Sequence, residues 1–224
     1  MNKNIFVACD VSTQKEILTL LELIHKDISG IKIGLQYITQ RSPEEIRALS
    51  KFNKPIFYDG KFFDIKNTLI ESIKSLEELN ISYATVHLLN GLDSLKAANE
   101  AAQKINLNLL GVSILTSFGN DDLFNLGFKD KMEDQVKRLI KIAMTANLYG
   151  VICSPLEIKM IKEIAPELKC FTPGIRFNDN KDDQVRIMNP NDAIKAGSDC
   201  LIIGRPITIG DPKKNIQKIL SSID

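Results

Sequence analysis

The sequence predicts an α/β fold, a single-domain (β/α)8 TIM barrel covering residues 1–224. Short apolar runs start about every 25–30 residues, which is the length of one βα unit. Segments with apolar residues at helical spacing separate these runs. Several runs, such as 109–112, are apolar throughout, which is typical of a parallel sheet covered on both faces. A doubly wound open sheet is the alternative, but no Gly-x-Gly-x-x-Gly follows the first run, which weakens its nucleotide-binding form.

The same patterns place the individual elements. Strands are expected near residues 5–10, 30–34, 55–61, 83–87, 108–115, 150–154, 169–174 and 200–205. Three helical stripes are expected to face the sheet: Ile17, Leu20, Leu21 and Ile24 after a Ser12/Thr13 start; Ile70, Ile73, Leu76 and Leu79 after Asp64; and Val136, Leu139, Ile140 and Ala143. Helix starts are also expected at Ser42-Pro43 and Ser154-Pro155, because proline suits the first helical position.

Composition excludes several classes of partner. The formal net charge is +1, so there is no basic excess to attract nucleic acid or an anionic membrane. No apolar run reaches the roughly 18 residues of a membrane span, and no signal peptide is recognised. The four cysteines lie in apolar runs, as buried thiols do in a reducing compartment, so a cytoplasmic location is expected. Two scattered histidines are too few for a zinc site, and no metal is expected.

A charged motif ends the third predicted strand. Asp59 and Lys61 are two residues apart and therefore share one face of the strand, and Asp64 follows where a helical pattern begins. Opposite charges packed at one strand end would keep the lysine protonated and the carboxylates ionised. Such an array could act on a charged substrate. The alternative is a structural ion pair that closes the strand, with Asp64 as the N-cap of the next helix.

Lys32 is the second notable charge, because it lies between two isoleucines in the second strand. A lysine in an apolar strand is costly unless its charge is paired. Asp59 on the neighbouring strand could be that partner. The alternative is a surface lysine whose ammonium extends to water.

Loops after the last two strands suggest a phosphorylated substrate. Gly204 allows close approach of the backbone to a ligand, and Arg205 can donate two hydrogen bonds to phosphate oxygens. Barrels often bind phosphate with the loops after strands seven and eight. Arg205 as a plain surface charge is the alternative. Two long connections, 117–130 and 174–190, are either lids over the site or ordinary surface variation.

The motif Asp59-x-Lys61-x-x-Asp64-Ile65-x-Asn67-Thr68 resembles the signature of the orotidine 5′-phosphate decarboxylase family. The resemblance extends in order over nearly the whole chain, through Asp10, Lys32, Leu115-Thr116-Ser117, Thr172-Pro173-Gly174-Ile175-Arg176, Asp183-Gln184-x-Arg186 and Gly204-Arg205-Pro206-Ile207-Thr208. It implies a homodimeric (β/α)8 barrel that converts orotidine 5′-phosphate into UMP and CO2 without a cofactor.

The resemblance also implies roles for individual residues. Lys61 would be the proton donor. Four residues would form a chain of alternating charges, namely Lys32, Asp59, Lys61 and Asp64. Asp64 and Thr68 would be contributed to the partner subunit's site. Asp10 and Lys32 would hold the ribose hydroxyls, and Thr116 would lie near the pyrimidine. The phosphate and its closing loop would be held by Arg176, Gln184, Gly204 and Arg205.

Two other functions compete with this one. A sugar-phosphate enzyme of the same superfamily shares Asp-x-Lys-x-x-Asp but uses Mg²⁺, with an acidic ligand on the second strand. Lys32 occupies that strand here and would repel the cation. A catalytically silent phosphate-binding barrel is the other alternative, which the intact lysine and aspartates disfavour.

Overall fold

Eight parallel strands pair in sequence order, and the first pairs with the last, so the sheet closes into a barrel. This computed structural model describes residues 4–177 and 186–223. The strands are β1 Ile5–Ala8, β2 Gly30–Gly34, β3 Ile56–Phe62, β4 Tyr83–His87, β5 Asn108–Val112, β6 Gly150–Ile152, β7 Lys169–Thr172 and β8 Cys200–Ile203. The predicted barrel is therefore confirmed. Several predicted strands were too long at their carboxyl ends, because the chain leaves the sheet two or three residues earlier and continues in the loops at the barrel mouth.

Helices connect the strands on the outside of the barrel. In the described residues they are α1 Gln14–Ile24, α2 Leu35–Ile38, α3 Pro43–Arg47, α4 Lys66–Lys74, α5 Leu92–Lys104, α6 Asn120–Asn125, α7 Met132–Thr145, α8 Ile158–Ile164, α9 Pro190–Lys195, α10 Arg205–Thr208 and α11 Pro212–Ser222. Short 3₁₀ turns are His25–Asp27, Ala48–Phe52, Glu77–Leu79, Leu88–Asn90 and Pro155–Glu157. Within the described ranges, no helix combines the length and the apolarity needed to cross a bilayer.

Most of the predicted helix features are present. Thr13 and Ser42 cap α1 and α3 with reciprocal side-chain bonds, and Ser154 caps the 3₁₀ turn before α8. The first and third predicted stripes are fully buried. In the second stripe Ile73 and Leu76 are buried, and Ile70 and Leu79 are partly buried against the core. The stripe was wrong in assuming one helix, because α4 ends at Lys74, before Leu76 and Leu79. The connection 117–130 was predicted as a loop but contains α6.

Alternation along the strands divides the barrel side chains into two sets. One set packs outward against the helices and forms the larger core. The other points inward, and its lower layer is aromatic: Phe6, Phe57, Tyr83 and Phe171 meet edge to face or tilted, with centroids 5.4–6.4 Å apart. This layer fills the amino-terminal end of the barrel. Inward-pointing side chains nearer the carboxyl ends of the strands are therefore held above an apolar floor.

Candidate active site

The carboxylate of Asp59 is the centre of a buried charge array. Asp59 lies on the inward face of β3, one alternation step above Phe57. Its Oδ2 atom is 3.0 Å from Lys32 Nζ and 2.9 Å from Lys61 Nζ. The Asp59 side chain is 9% exposed, whereas that of Lys61 is 33% exposed. The structure thus joins three of the predicted site residues, with one ammonium group open to the barrel mouth.

Lys32 points inward and is paired, as predicted. Besides Asp59, its ammonium lies 3.8 Å from Asp10 Oδ1, so the charges alternate from Asp10 through Lys32 and Asp59 to Lys61. The predicted array did not include Asp10, which was assigned to the ribose. Gly34 makes room for this contact, since a Cβ atom there would lie 3.0 Å from Asp10 Oδ1 and 3.3 Å from Lys32 Nζ.

Burial and pairing act in opposite directions on these charges. Burial disfavours the charged forms, but the Lys32 and Lys61 ammonium groups outweigh it and hold the pKa of Asp59 below its ordinary value of 3.8. Burial likewise opposes the charge on Lys32, yet Asp59 and Asp10 together raise the pKa of its ammonium above 10.5. At neutral pH Asp59 is therefore an anion and Lys32 a cation.

Lys61 has an unusual backbone. Its φ is +48°, a left-handed conformation that is rare for lysine. The pairing of β3 with β4 changes register here. Tyr58 pairs with Ala84 and Phe62 pairs with Val86, so an advance of four residues along β3 corresponds to two residues along β4. The Lys61 N–H donates to Thr85 Oγ1 at 2.8 Å. Thr85 was not predicted as a site residue. A hydroxyl residue inside an apolar strand, on the strand that follows the motif, was a usable signal.

Asp64 does not join the array of its own chain. It is exposed, and within the described part of the chain it makes no ion pair. Its N–H donates to Asn90 Oδ1 at 3.1 Å, and its Oδ1 accepts from Ile65 N–H. Ile65 is the N-cap of α4 and gives no side-chain bond, so the alternative in which Asp64 caps that helix is wrong. Thr68 is also exposed, on the first turns of α4.

A cavity of about 260 Å³ opens above the array. Lys32, Asp59 and Lys61 line one side of it. The rest of the lining is largely apolar and includes the half-buried Thr116 in the loop after β5. Its remaining lining residues are Val112, Ile114, Leu115, Ser117, Ile152, Pro173 and Ile202. A lining that combines a charged cluster with apolar side chains suits a flat heterocycle with charge on one edge.

The described residues that were predicted to bind phosphate follow the neighbouring strands β7 and β8. Gly204 and the exposed Arg205 follow β8 directly, and a Cβ atom on Gly204 would lie 3.8 Å from Asp10 Oδ2. Arg176, after β7, is 7% exposed, and its Nη1 donates to the Ile175 carbonyl. Gln184 lies outside the described residues. The binding roles of these residues remain predictions.

An ion pair that the sequence did not reveal holds the adjoining loops. Arg186 pairs with the buried carboxylate of Glu157, and its Nη2 donates to the Leu115 carbonyl at 3.0 Å. Glu157 also accepts from the Ser154 N–H. These contacts fix the segment just before Thr116 against the 3₁₀ turn that follows β6.

Known proteins of one family match this chain along almost its full length. The model of a family described as Orotidine 5′-phosphate decarboxylase / HUMPS matches residues 3–219. The orotidine 5′-phosphate decarboxylase of Wolbachia pipientis is 36% identical over 221 residues, covering 98% of this chain and 98% of the relative. That of Ehrlichia canis is 37% identical over 222 residues, covering 98% of this chain and 97% of the relative.

A solved structure also matches this fold. The crystal structure of orotidine 5′-phosphate decarboxylase from Lactobacillus acidophilus superposes with a TM-score of 0.87 at 30% identity, and the match covers 100% of both chains. Sequence relatives and structure thus indicate one family independently of the site geometry.

The pKa shifts predict how stability depends on pH. Stabilisation from Asp59 is present above pH 3.8 and is lost as the pH falls through its folded pKa. Asp59→Asn should lower the free energy of unfolding by about 3–5 kcal/mol at pH 7, because two ammonium groups lose their anionic partner. Denaturant titrations should show this difference shrinking as the pH falls from 3.8 toward the lower folded pKa of Asp59, because protonation of the carboxyl then favours the unfolded chain.

Asp134→Asn, an exposed change on α7, is the control and should alter stability by less than about 0.5 kcal/mol. A difference between wild type and Asp59→Asn that stays constant through the acid limb would contradict the assignment.

Proposed function

The chain belongs to the orotidine 5′-phosphate decarboxylase / HUMPS family, and we propose that it converts orotidine 5′-phosphate to UMP and CO2 without a cofactor. This is the last step of the de novo pyrimidine pathway to UMP, and we expect it to occur in the cytoplasm. One observation carries the proposal: the Lys61 ammonium is held 2.9 Å from a buried carboxylate at the side of a cavity at the barrel mouth.

In the proposed reaction, the bond between C6 of the pyrimidine and the carboxylate carbon breaks. CO2 leaves, and the bonding electrons remain on C6. The Lys61 ammonium stabilises this negative charge and transfers a proton to C6, which gives UMP. Solvent then returns a proton to Lys61, whose side chain is partly exposed.

Asp59 has two effects in this scheme. It keeps Lys61 in place, and it lies near the departing carboxylate, where like charges repel. Two charges about 4 Å apart interact by about 4 kcal/mol at an effective dielectric near 20, which is about three decades in rate. Demanding enzymatic reactions need on the order of 8–23 kcal/mol. The larger share therefore comes from the fixed cation and from phosphate binding energy used to hold the substrate.

The remaining contacts follow the family pattern. Asp10 and Lys32 bind the ribose hydroxyls, which agrees with their adjacent positions at the barrel mouth. Thr116, which lines the cavity, contacts the pyrimidine. The phosphate group is bound by Arg176, Gln184, Gly204 and Arg205.

We also propose that the active form is a homodimer in which Asp64 and Thr68 complete the partner's site. Both are exposed and have apolar neighbours that are unusually exposed: Phe63 at 63% and Ile65 at 74%. An apolar surface of this kind beside a charged residue is typical of a subunit interface. The partner's array would supply the cationic environment that Asp64 lacks in its own chain.

Two other activities remain outcomes of the test. The family name covers a metal-dependent sugar-phosphate chemistry, which the Lys32 ammonium beside Asp59 disfavours because it would repel Mg²⁺. A silent barrel that only binds a phosphorylated ligand would not need a lysine held against a buried carboxylate.

Removing the Lys61 ammonium should abolish turnover. Wild type should consume orotidine 5′-phosphate, seen as a fall in ultraviolet absorbance, and should do so in EDTA. Lys61→Ala should lower kcat by at least about a thousandfold while UMP still binds. Lys74→Ala, at an exposed lysine paired with Glu71, should leave kcat unchanged.

Three results would overturn this assignment. Substantial turnover by Lys61→Ala would exclude Lys61 as the acid. Activity lost in EDTA and restored by Mg²⁺ would favour the sugar-phosphate chemistry. Tight UMP binding without any fall in absorbance would favour the silent barrel.

Arg205→Ala should mainly weaken binding of the phosphate group. A hydrogen bond to a charged group contributes about 1.5–3 kcal/mol, so KM for orotidine 5′-phosphate should rise by roughly 10- to 100-fold. Turnover of orotidine, which lacks the phosphate, should hardly change. Arg47→Ala, on α3 and paired with Glu44, is the control. Equal effects on both substrates would refute the phosphate assignment.

Complementation tests the shared site. Lys61→Ala and Asp64→Ala should each be nearly inactive as homodimers. In a mixed dimer one site has both residues intact, so random mixing should recover about a quarter of the wild-type activity. Steady-state rates after co-expression measure this recovery. Full activity of Asp64→Ala alone, or no recovery in the mixture, would argue against a shared site.

A further inference from the structure

Lys61 stands apart from the other residues with a left-handed backbone. In the described chain, non-glycine residues with positive φ are Lys61 and four asparagines: Asn53, Asn80, Asn106 and Asn147. Asparagine adopts this conformation readily because its short amide bonds to the local backbone. Lysine has no such compensation, so surrounding contacts must hold it there. The question is which contact does so.

The Thr85 hydroxyl makes that contact. Between Tyr58 and Phe62 the pairing of β3 with β4 is interrupted, and the Lys61 N–H meets a side chain where a regular ladder would supply a carbonyl. It donates to Thr85 Oγ1 at 2.8 Å. Thr85 is fully buried, so water cannot replace this acceptor.

The same hydroxyl orients the central carboxylate. Thr85 Oγ1 donates to Asp59 Oδ1 at 2.9 Å. A hydroxyl has a single proton, so donating to Asp59 leaves its lone pairs for the Lys61 N–H. With Oδ1 occupied, Oδ2 is the oxygen that both ammonium groups contact. One buried oxygen thus connects the backbone of Lys61 to the carboxylate that holds its side chain.

We propose that Thr85 is a positioning residue, whose hydroxyl fixes the direction of the Lys61 ammonium through both ends of that residue. This rests on the proposed function, in which Lys61 protonates the substrate. Thr85 touches no reacting atom in this scheme. Its effect is geometric: a proton donor displaced by about 1 Å can lose on the order of a hundredfold in rate.

Thr85→Val is the direct test, because valine keeps the shape and the β-branch but removes both hydrogen bonds. We expect kcat to fall by about a hundredfold, while KM for orotidine 5′-phosphate and the Kd of UMP change little. Thr85→Ser retains the hydroxyl and should restore kcat to within a few-fold of wild type. Thr85→Ala repeats the test should valine fold poorly.

Thr172→Val is the matched control. Thr172 is also fully buried on a barrel strand, and its hydroxyl bonds Ser198, away from the array. Denaturant titration should show both valine variants losing stability, but the fall in kcat should be confined to Thr85→Val. A purely structural role would affect stability in both and kcat in neither.

The inference is overturned if the Thr85 valine and alanine variants keep wild-type kcat, or if Thr172→Val loses as much kcat as Thr85→Val. It is also overturned if Thr85→Val raises KM alone. Wild-type protein that does not consume orotidine 5′-phosphate would instead refute the proposed function, and the role of Thr85 in that reaction with it.

Discussion

Burial of the Asp59 carboxylate is the constraint on which the site depends. An anion with a 9% exposed side chain is stable only if cations and hydrogen-bond donors surround it. Lys32, Lys61 and Thr85 supply these contacts. Because each of these groups is also fixed by Asp59, the array is mutually supporting. Loss of Asp59 would leave the Lys32 ammonium with only the more distant Asp10, and the Lys61 ammonium without its carboxylate partner.

The barrel makes this arrangement possible. Its lower layer of aromatic rings excludes water beneath the charges, and the cavity above leaves the Lys61 ammonium open to a ligand. Low polarity below strengthens the ion pairs, while the open side allows a substrate to share the field of the cation. The same environment that makes the charges costly to bury would make them effective toward the reacting carbon of the proposed substrate.

Strain is concentrated at the residue proposed to do the chemistry. The left-handed backbone of Lys61 and the irregular pairing of β3 with β4 occur together, within a few residues of Asp59. A regular strand would have kept Lys61 in the ladder. In the irregular strand the Lys61 N–H bonds Thr85 and its ammonium bonds Asp59, so the local distortion fixes the position of the proposed proton donor.

The sequence by itself determined the elements that depend on local periodicity. Alternation placed Asp59 and Lys61 on one face, the eight apolar runs predicted the barrel, and Lys32 between isoleucines required an anionic partner. Tertiary structure alone decided which side chains meet across strands: Asp10 joins the array through the space left by Gly34, and Thr85 bonds residues 24 and 26 positions earlier. It also turned Asp64 outward. Such contacts depend on the register between strands and on closure of the barrel. Neither can be predicted from the spacing of residues within one segment.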